Sequence, residues 1–237
     1  MSLSMADSSA DMTLHAFEEE TRVAASFDSL FPTDTVLAPE IFRRVYVSLD
    51  LPEDRGPVIG ITSSIAGEGR TTIATALART LASDLDNMVL LVDASFTRPS
   101  QVTHLPSAAS AGFSAVLRGE ATLTEVMRQV SERLSIVTGG NPGSDTARLL
   151  RQLSEHDPFQ QVRTLRTVTI LDLPPLLSQS YSPLAAAAAD ALVLVIRAGV
   201  TPATVVREAI ERLGDRPLQG AILNGERSAR PRWWPSS

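Results

Sequence analysis

Cysteine is absent from the chain, which excludes disulfides, thiolate chemistry and thiolate-based metal sites. Histidine is almost as scarce. His15, His104 and His156 are too scattered to supply a structural zinc site, so a metal would have to arrive with a nucleotide. Lysine is missing too, and all 21 basic residues are arginine. No apolar run approaches the roughly 20 residues that a membrane-crossing helix needs. The opening MSLSMADSSADM lacks the basic and apolar regions of a secretion signal, so the expectation is a cytoplasmic chain that does not span a membrane. A net charge of −6 and a pI near 5.1 argue against a broad nucleic-acid surface, which needs clustered positive charge.

With 237 residues and 43% apolar content, there is material for one sizeable core. Residues 1–37 mix acidic and small polar types without periodicity and read as an N-terminal arm. Residues 38–225 carry the pattern of a folded domain, and 226–237 form an arginine- and tryptophan-rich tail. APEIFRRVYVSL predicts a short helix with Ile41, Val45 and Leu49 at four-residue spacing. Strands are predicted at Val58–Thr62, Met88–Asp93, Leu134–Val137, Thr167–Leu171, Ala191–Ile196 and Gln219–Leu223. Helical stretches at 71–83, 121–131, 145–165 and 201–213 separate most of them, and the alanine run at 185–189 is compatible with helix. Short, continuously apolar strands alternating with helices indicate an α/β fold, a mostly parallel sheet covered on both faces. Ligands in such sheets bind beyond the carboxyl ends of the strands.

At that rim lies GITSSIAGEGRTT, residues 60–72, a strand, a glycine-bearing loop and the start of a helix. Backbone N–H groups in such a junction can face one concavity and hold phosphate oxygens, assisted by the helix N-terminus. The candidate nucleotide-binding residues are Gly67, Glu68, Gly69, Arg70, Thr71 and Thr72. Phosphate loops of this kind normally place lysine where Arg70 stands, followed by a hydroxyl residue for Mg²⁺, here Thr71. Asp93 and Asp172 end two predicted strands on the same rim. An aspartate there is often only a turn former, but beside the loop the two carboxylates could hold Mg²⁺ together with Thr71. The cofactor these residues point to is ATP or ADP with Mg²⁺, with Asp93, Arg70 and Asp172 as the candidate catalytic groups.

From about Pro39 to Asn224 the sequence resembles the bacterial tyrosine autokinases of exopolysaccharide synthesis and export, within the partition-type P-loop ATPases. SSIAGEGRTT resembles their Walker A loop, LLVDASFTRP their Walker A′ motif, ILDLPP their Walker B motif and EIFRRVY their oligomerisation helix. GFSAVLRGEATLTEV, LSIVTGGNPGSDTARLL and LQGAILN resemble the intervening segments and the last strand. The resemblance implies a P-loop NTPase fold, self-association through Glu40 and Arg43, and a membrane-embedded polysaccharide chain-length or export protein as partner.

Four departures accompany it. Arg70 replaces the Walker lysine, Ser95 stands at the second aspartate of Walker A′, and Tyr46 stands where the oligomerisation helix usually has a second arginine. The family's C-terminal tyrosine cluster has no counterpart, since Tyr46 and Tyr181 are the only tyrosines. The leading expectation is a regulatory or scaffold protein with weak or no catalysis. An active ATPase or protein-tyrosine kinase using Arg70 is the alternative, and a partition-type positioning ATPase is the third. The tail's Trp233 and Trp234, beside Arg230 and Arg232, read either as a frayed end or as a docking element.

Overall fold

A computed structural model describes residues 39–96 and 111–225. The expected arm, the tail, and the part of LLVDASFTRP beyond Phe96 lie outside the described residues.

Helix α1 (Pro39–Ser48) leads to β1 (Val58–Ser63) and α2 (Arg70–Asp84), then β2 (Val89–Asp93). Two short helices follow, α3 (Phe113–Arg118) and α4 (Leu123–Val126), then β3 (Arg128–Gln129) and β4 (Leu134–Val137). Next come α5 (Thr146–Glu155), α6 (Gln160–Thr164) and β5 (Val168–Asp172). The chain continues through α7 (Ser182–Ala185), a 3₁₀ turn at Ala186–Ala188, β6 (Ala191–Arg197), α8 (Ala203–Leu213) and β7 (Leu218–Asn224). The sheet runs β3-β4-β2-β5-β1-β6-β7, parallel throughout except for β3 against β4.

Strands β1, β2, β4 and β5 and most of β6 are buried along their length because both faces of the sheet are covered there, whereas β3 and β7 at the two edges are largely exposed. Successive residues point to opposite faces, so Leu90 and Val92 join one core cluster and Val89 and Leu91 the other. The first cluster packs under α3 to α8, the second under α1 and α2. Helix α2 buries Ile73, Ala74, Leu77, Ala78 and Leu81, a stripe at helical spacing. Helix α1 seats Phe42 in the same cluster, and Arg43 pins it to the end of α2 through two hydrogen bonds to Asp84, at 2.6 and 3.0 Å.

All six predicted strands are present, displaced by at most one residue at either end. Two predicted helices need correction. The stretch 121–131 is helical only over Leu123–Val126, stapled by a reciprocal Thr122–Glu125 capping box, and then turns extended at Met127. Its remainder pairs antiparallel with β4, whose outer edge offers backbone partners that a marginal helix cannot match. The stretch 145–165 is two helices, because Pro158 has no N–H to donate and biases the preceding residue toward extended backbone. Helix α3 was not foreseen as a helix.

The rim opposite the predicted site is held by Asp190, which accepts from the Val58 amide at 2.8 Å, from Arg55 at 2.7 Å, and from Arg163. Arg163 is buried, also donates to the Gly56 carbonyl, and has two carboxylate partners, Asp190 and the more exposed Asp157 at 3.1 Å. Removing Asp190 leaves the buried guanidinium with only the more exposed Asp157, and leaves the Val58 amide without its acceptor. Asp190→Ala is expected to lower the unfolding free energy by about 3 kcal/mol, read by urea denaturation.

Candidate functional site

Strand β1 passes into the loop through a set of short ties to the segment following β5. The Thr62 hydroxyl donates to the Pro174 carbonyl at 2.9 Å, while the amides of Leu176 and Leu177 donate to the carbonyls of Ser63 and Ser64. Gly67 and Gly69 both adopt left-handed backbone, with φ of 87° and 89°. A Cβ on Gly67 would meet nothing within 4 Å, so the conformation and not crowding requires glycine there. At Gly69 both apply, since a Cβ would lie 2.0 Å from Asn224 Nδ2.

Gly69 is also the N-cap of α2, and no side chain caps that end. Ile73 is the first residue of the helix whose amide reaches back, to the Gly69 carbonyl at 3.0 Å. The amides of Arg70, Thr71 and Thr72 therefore lie in a first turn that has no intrahelical acceptor. Ile65, Ala66, Gly67 and Thr72 are exposed, so the loop borders solvent with its helix end uncapped. Helix ends of this kind favour anions, because unpaired amides and the helix dipole both point outward there.

Glu68 faces inward. Its carboxylate accepts from the Ile65 amide at 2.8 Å, the Thr201 hydroxyl at 2.6 Å and the Arg197 amide at 3.2 Å. Asn224 completes the anchorage by donating to the Glu68 carbonyl at 2.8 Å. Glu68 does not pair with Arg70 across the loop. It ties the loop to the ends of β6 and β7, which makes it a positioning group.

Arg70 crosses instead to Asp172, its Nε 2.6 Å from Oδ1, while the Thr71 hydroxyl lies 2.6 Å from Oδ2. The pair is shielded, with side chains 11% and 2% exposed. Burial pushes the Asp172 carboxyl above the usual carboxylate range, the Arg70 charge pulls it back, and the nearby Asp93 charge raises it again. Asp93 and Asp172 sit opposite one another in the β2–β5 register. Ser95, at the place of the second Walker A′ acid, donates to Asp93 Oδ1 from both its amide (3.0 Å) and its hydroxyl (2.7 Å).

The structure thus brings Arg70, Thr71, Asp93 and Asp172 to one rim beside Gly67, Glu68 and Gly69. Sequence reasoning missed Asn224, Thr201 and Arg197. Asn224 was legible as a polar residue closing an apolar strand on that rim; the other two depend on how β6 meets the loop.

A strand–loop–helix with left-handed glycines on a parallel sheet, and aspartates at two adjacent strand ends, defines a P-loop NTPase fold of the partition-ATPase type. Within that class the chain is a divergent relative of the bacterial tyrosine kinases. It is 29% identical over 173 residues to tyrosine-protein kinase YwqD of Bacillus subtilis, covering 72% of this chain and 73% of that one. It is 27% identical over 198 residues to the succinoglycan biosynthesis transport protein ExoP of Rhizobium meliloti, covering 78% of this chain but 24% of the larger protein. Among solved structures, the VpsO kinase domain superposes with a TM-score of 0.66 at 27% identity, covering 90% of this chain and 99% of that one. The septum site-determining protein MinD of Pyrococcus horikoshii, complexed with Mg-ADP, shares the fold at a TM-score of 0.56 and 21% identity, over 71% of this chain and 70% of that one. No protein-family model matches the chain.

The Arg70–Asp172 pair has a measurable pH signature. Without the guanidinium, burial and Asp93 hold the Asp172 pKa higher in the folded than in the unfolded chain, so the folded state binds more protons and stability falls as pH rises through that window. Arg70→Met should therefore lose more stability relative to the unaltered protein at pH 8 than at pH 5, measured by urea denaturation at both.

Proposed function

We propose that this protein binds a nucleotide at the Gly67–Thr72 loop and regulates or scaffolds polysaccharide synthesis or export, with phosphoryl transfer weakened or lost. The observation that carries the nucleotide reading is the uncapped N-terminus of α2, opening onto solvent behind two left-handed glycines. The similarity to tyrosine-protein kinases and to a succinoglycan biosynthesis transport protein supports the polysaccharide context. Its partner would be a membrane-embedded export component, reached from the cytoplasmic side. Among the described residues no helix is long and apolar enough to cross a membrane.

The weakened catalysis rests on two side chains. Phosphoryl transfer is mainly positioning and charge stabilisation, and here the cation nearest the transferred phosphate is tethered through its Nε to Asp172, which neutralises part of its charge. Ser95 supplies hydrogen bonds where the resemblance leads one to expect a second carboxylate. If each change costs on the order of 3 kcal/mol, turnover falls by roughly four orders of magnitude. A second reading, an active ATPase or kinase using Arg70, draws on the convergence of Thr71, Asp93 and Asp172. It requires Arg70 to leave Asp172 during the reaction. Self-association through Glu40 and Arg43 likewise competes with the Arg43–Asp84 contact.

A thermal-shift titration with ADP and ATP tests binding, since ligand at 100 times its dissociation constant stabilises by about 2.7 kcal/mol. Absence of any shift at saturating nucleotide would refute the nucleotide reading. Incubated with ATP, the protein is expected to acquire no phosphotyrosine by mass spectrometry. Stoichiometric phosphate on Tyr46 or Tyr181 would overturn the weakened-catalysis reading. Across Arg70→Lys, Ser95→Asp and the double variant, ATP turnover should rise more in the double than the product of the single effects, because both changes act on one transition state.

A further inference from the structure

We infer that the guanidinium of Arg70 takes the place of the divalent cation, so that the site binds the polyphosphate of a nucleoside di- or triphosphate without Mg²⁺. This rests on the nucleotide reading above. It starts from a misfit between the residues present and a bound metal. Thr71, Asp93 and Asp172 are the groups expected to hold Mg²⁺, and the Thr71 hydroxyl, both oxygens of Asp172 and one oxygen of Asp93 are already hydrogen-bonded. Asp172 accepts from Arg70 on one oxygen and from Thr71 on the other. Asp93 Oδ1 accepts two hydrogen bonds from Ser95.

The charges point the same way. A dication entering beside Asp172 would meet the positive guanidinium 2.6 Å from that carboxylate. Moving the guanidinium aside would leave Asp172, 2% exposed, without its partner until the metal replaced it. Ser95 contributes no charge to attract the metal, and the Glu68 carboxylate is committed to Ile65, Arg197 and Thr201.

Arginine suits the bridging role and lysine does not. Nε is directed at Asp172, and the two terminal nitrogens still carry four N–H donors in a plane. That fork can hold phosphate oxygens in a bidentate manner while its other edge stays on the carboxylate. A metal ion in a P-loop site makes the same connection, between phosphate oxygens and the acidic strand end. The amides at the start of α2 supply the remaining donors. A single guanidinium can thus carry out the bridging function of lysine and metal for binding, while providing no activated water or metal-bound nucleophile.

The test compares binding of a fluorescent ADP analogue to the full chain in excess MgCl₂ and in excess EDTA, with Mn²⁺ electron paramagnetic resonance as a separate readout of metal. The expected result is a dissociation constant that changes by less than about threefold between the two buffers, and no ADP-dependent immobilisation of Mn²⁺. The Arg70→Lys/Ser95→Asp double variant is expected to gain both Mg²⁺-dependent affinity and ADP-dependent Mn²⁺ binding. Tightening by about tenfold or more in Mg²⁺ for the unaltered protein, or ADP-dependent Mn²⁺ binding by it, overturns the inference and leaves the nucleotide reading standing. Failure to bind ADP in either buffer overturns both. The comparison on the unaltered protein decides the matter even if the double variant does not fold.

Discussion

A carboxylate buried at the end of a central strand must be given positive charge or several donors, because leaving it ionised and unpaired in the interior is costly. Asp172 is that carboxylate here. It ends β5, the strand between β1 and β2, and the groups that satisfy it come from the first turn of α2. The first turn of α2 is therefore bound to the end of β5 by side chains as well as by the loop that precedes it. The same two contacts decide where the arginine charge lies, and hence what the loop can do with a phosphate.

Acids that are buried or largely buried recur around the sheet, and each is resolved differently. Asp93 is satisfied by the neighbouring Ser95, a local solution that leaves the carboxylate in place. Glu68 is satisfied by two amides and a hydroxyl, and this long-range solution locks the loop to the β6 and β7 ends. Asp190, on the opposite rim, takes two arginines and serves the fold. Only at Asp172 does the compensating cation come from the phosphate loop itself. Stability and ligand chemistry are coupled at that point, because a change in Arg70 alters the charge state of a buried residue as well as the affinity for an anion.

The coupling also bears on α1. Its Arg43, read as a self-association residue by resemblance, makes a two-bonded contact with Asp84 at the far end of the same helix whose start carries Arg70. Tyr46, in place of a second arginine, packs against the apolar cluster under α1 and α2, and its burial raises the phenol pKa.

Much of this was legible in the chain itself. The continuous apolar runs alternating with helical stretches indicated a sheet covered on both faces, and GITSSIAGEGRTT read as a strand, a glycine-bearing loop and the start of a helix. The break between α5 and α6 at Pro158 was passed over when 145–165 was read as one helical stretch, because the apolar periodicity continues on either side. The fate of 127–131 was not legible, since a short amphipathic stretch becomes strand or helix according to whether an unpaired edge lies beside it, and that edge belongs to β4. Nor could the sequence say which way Glu68 and Arg70 would turn. Residue types are enough to place a carboxylate and a cation on one rim, because strand ends and loops follow from local pattern. Which acid receives which donor depends on distances between residues about a hundred positions apart in Arg70 and Asp172, and more in Glu68 and Thr201, and those distances exist only once the sheet is assembled.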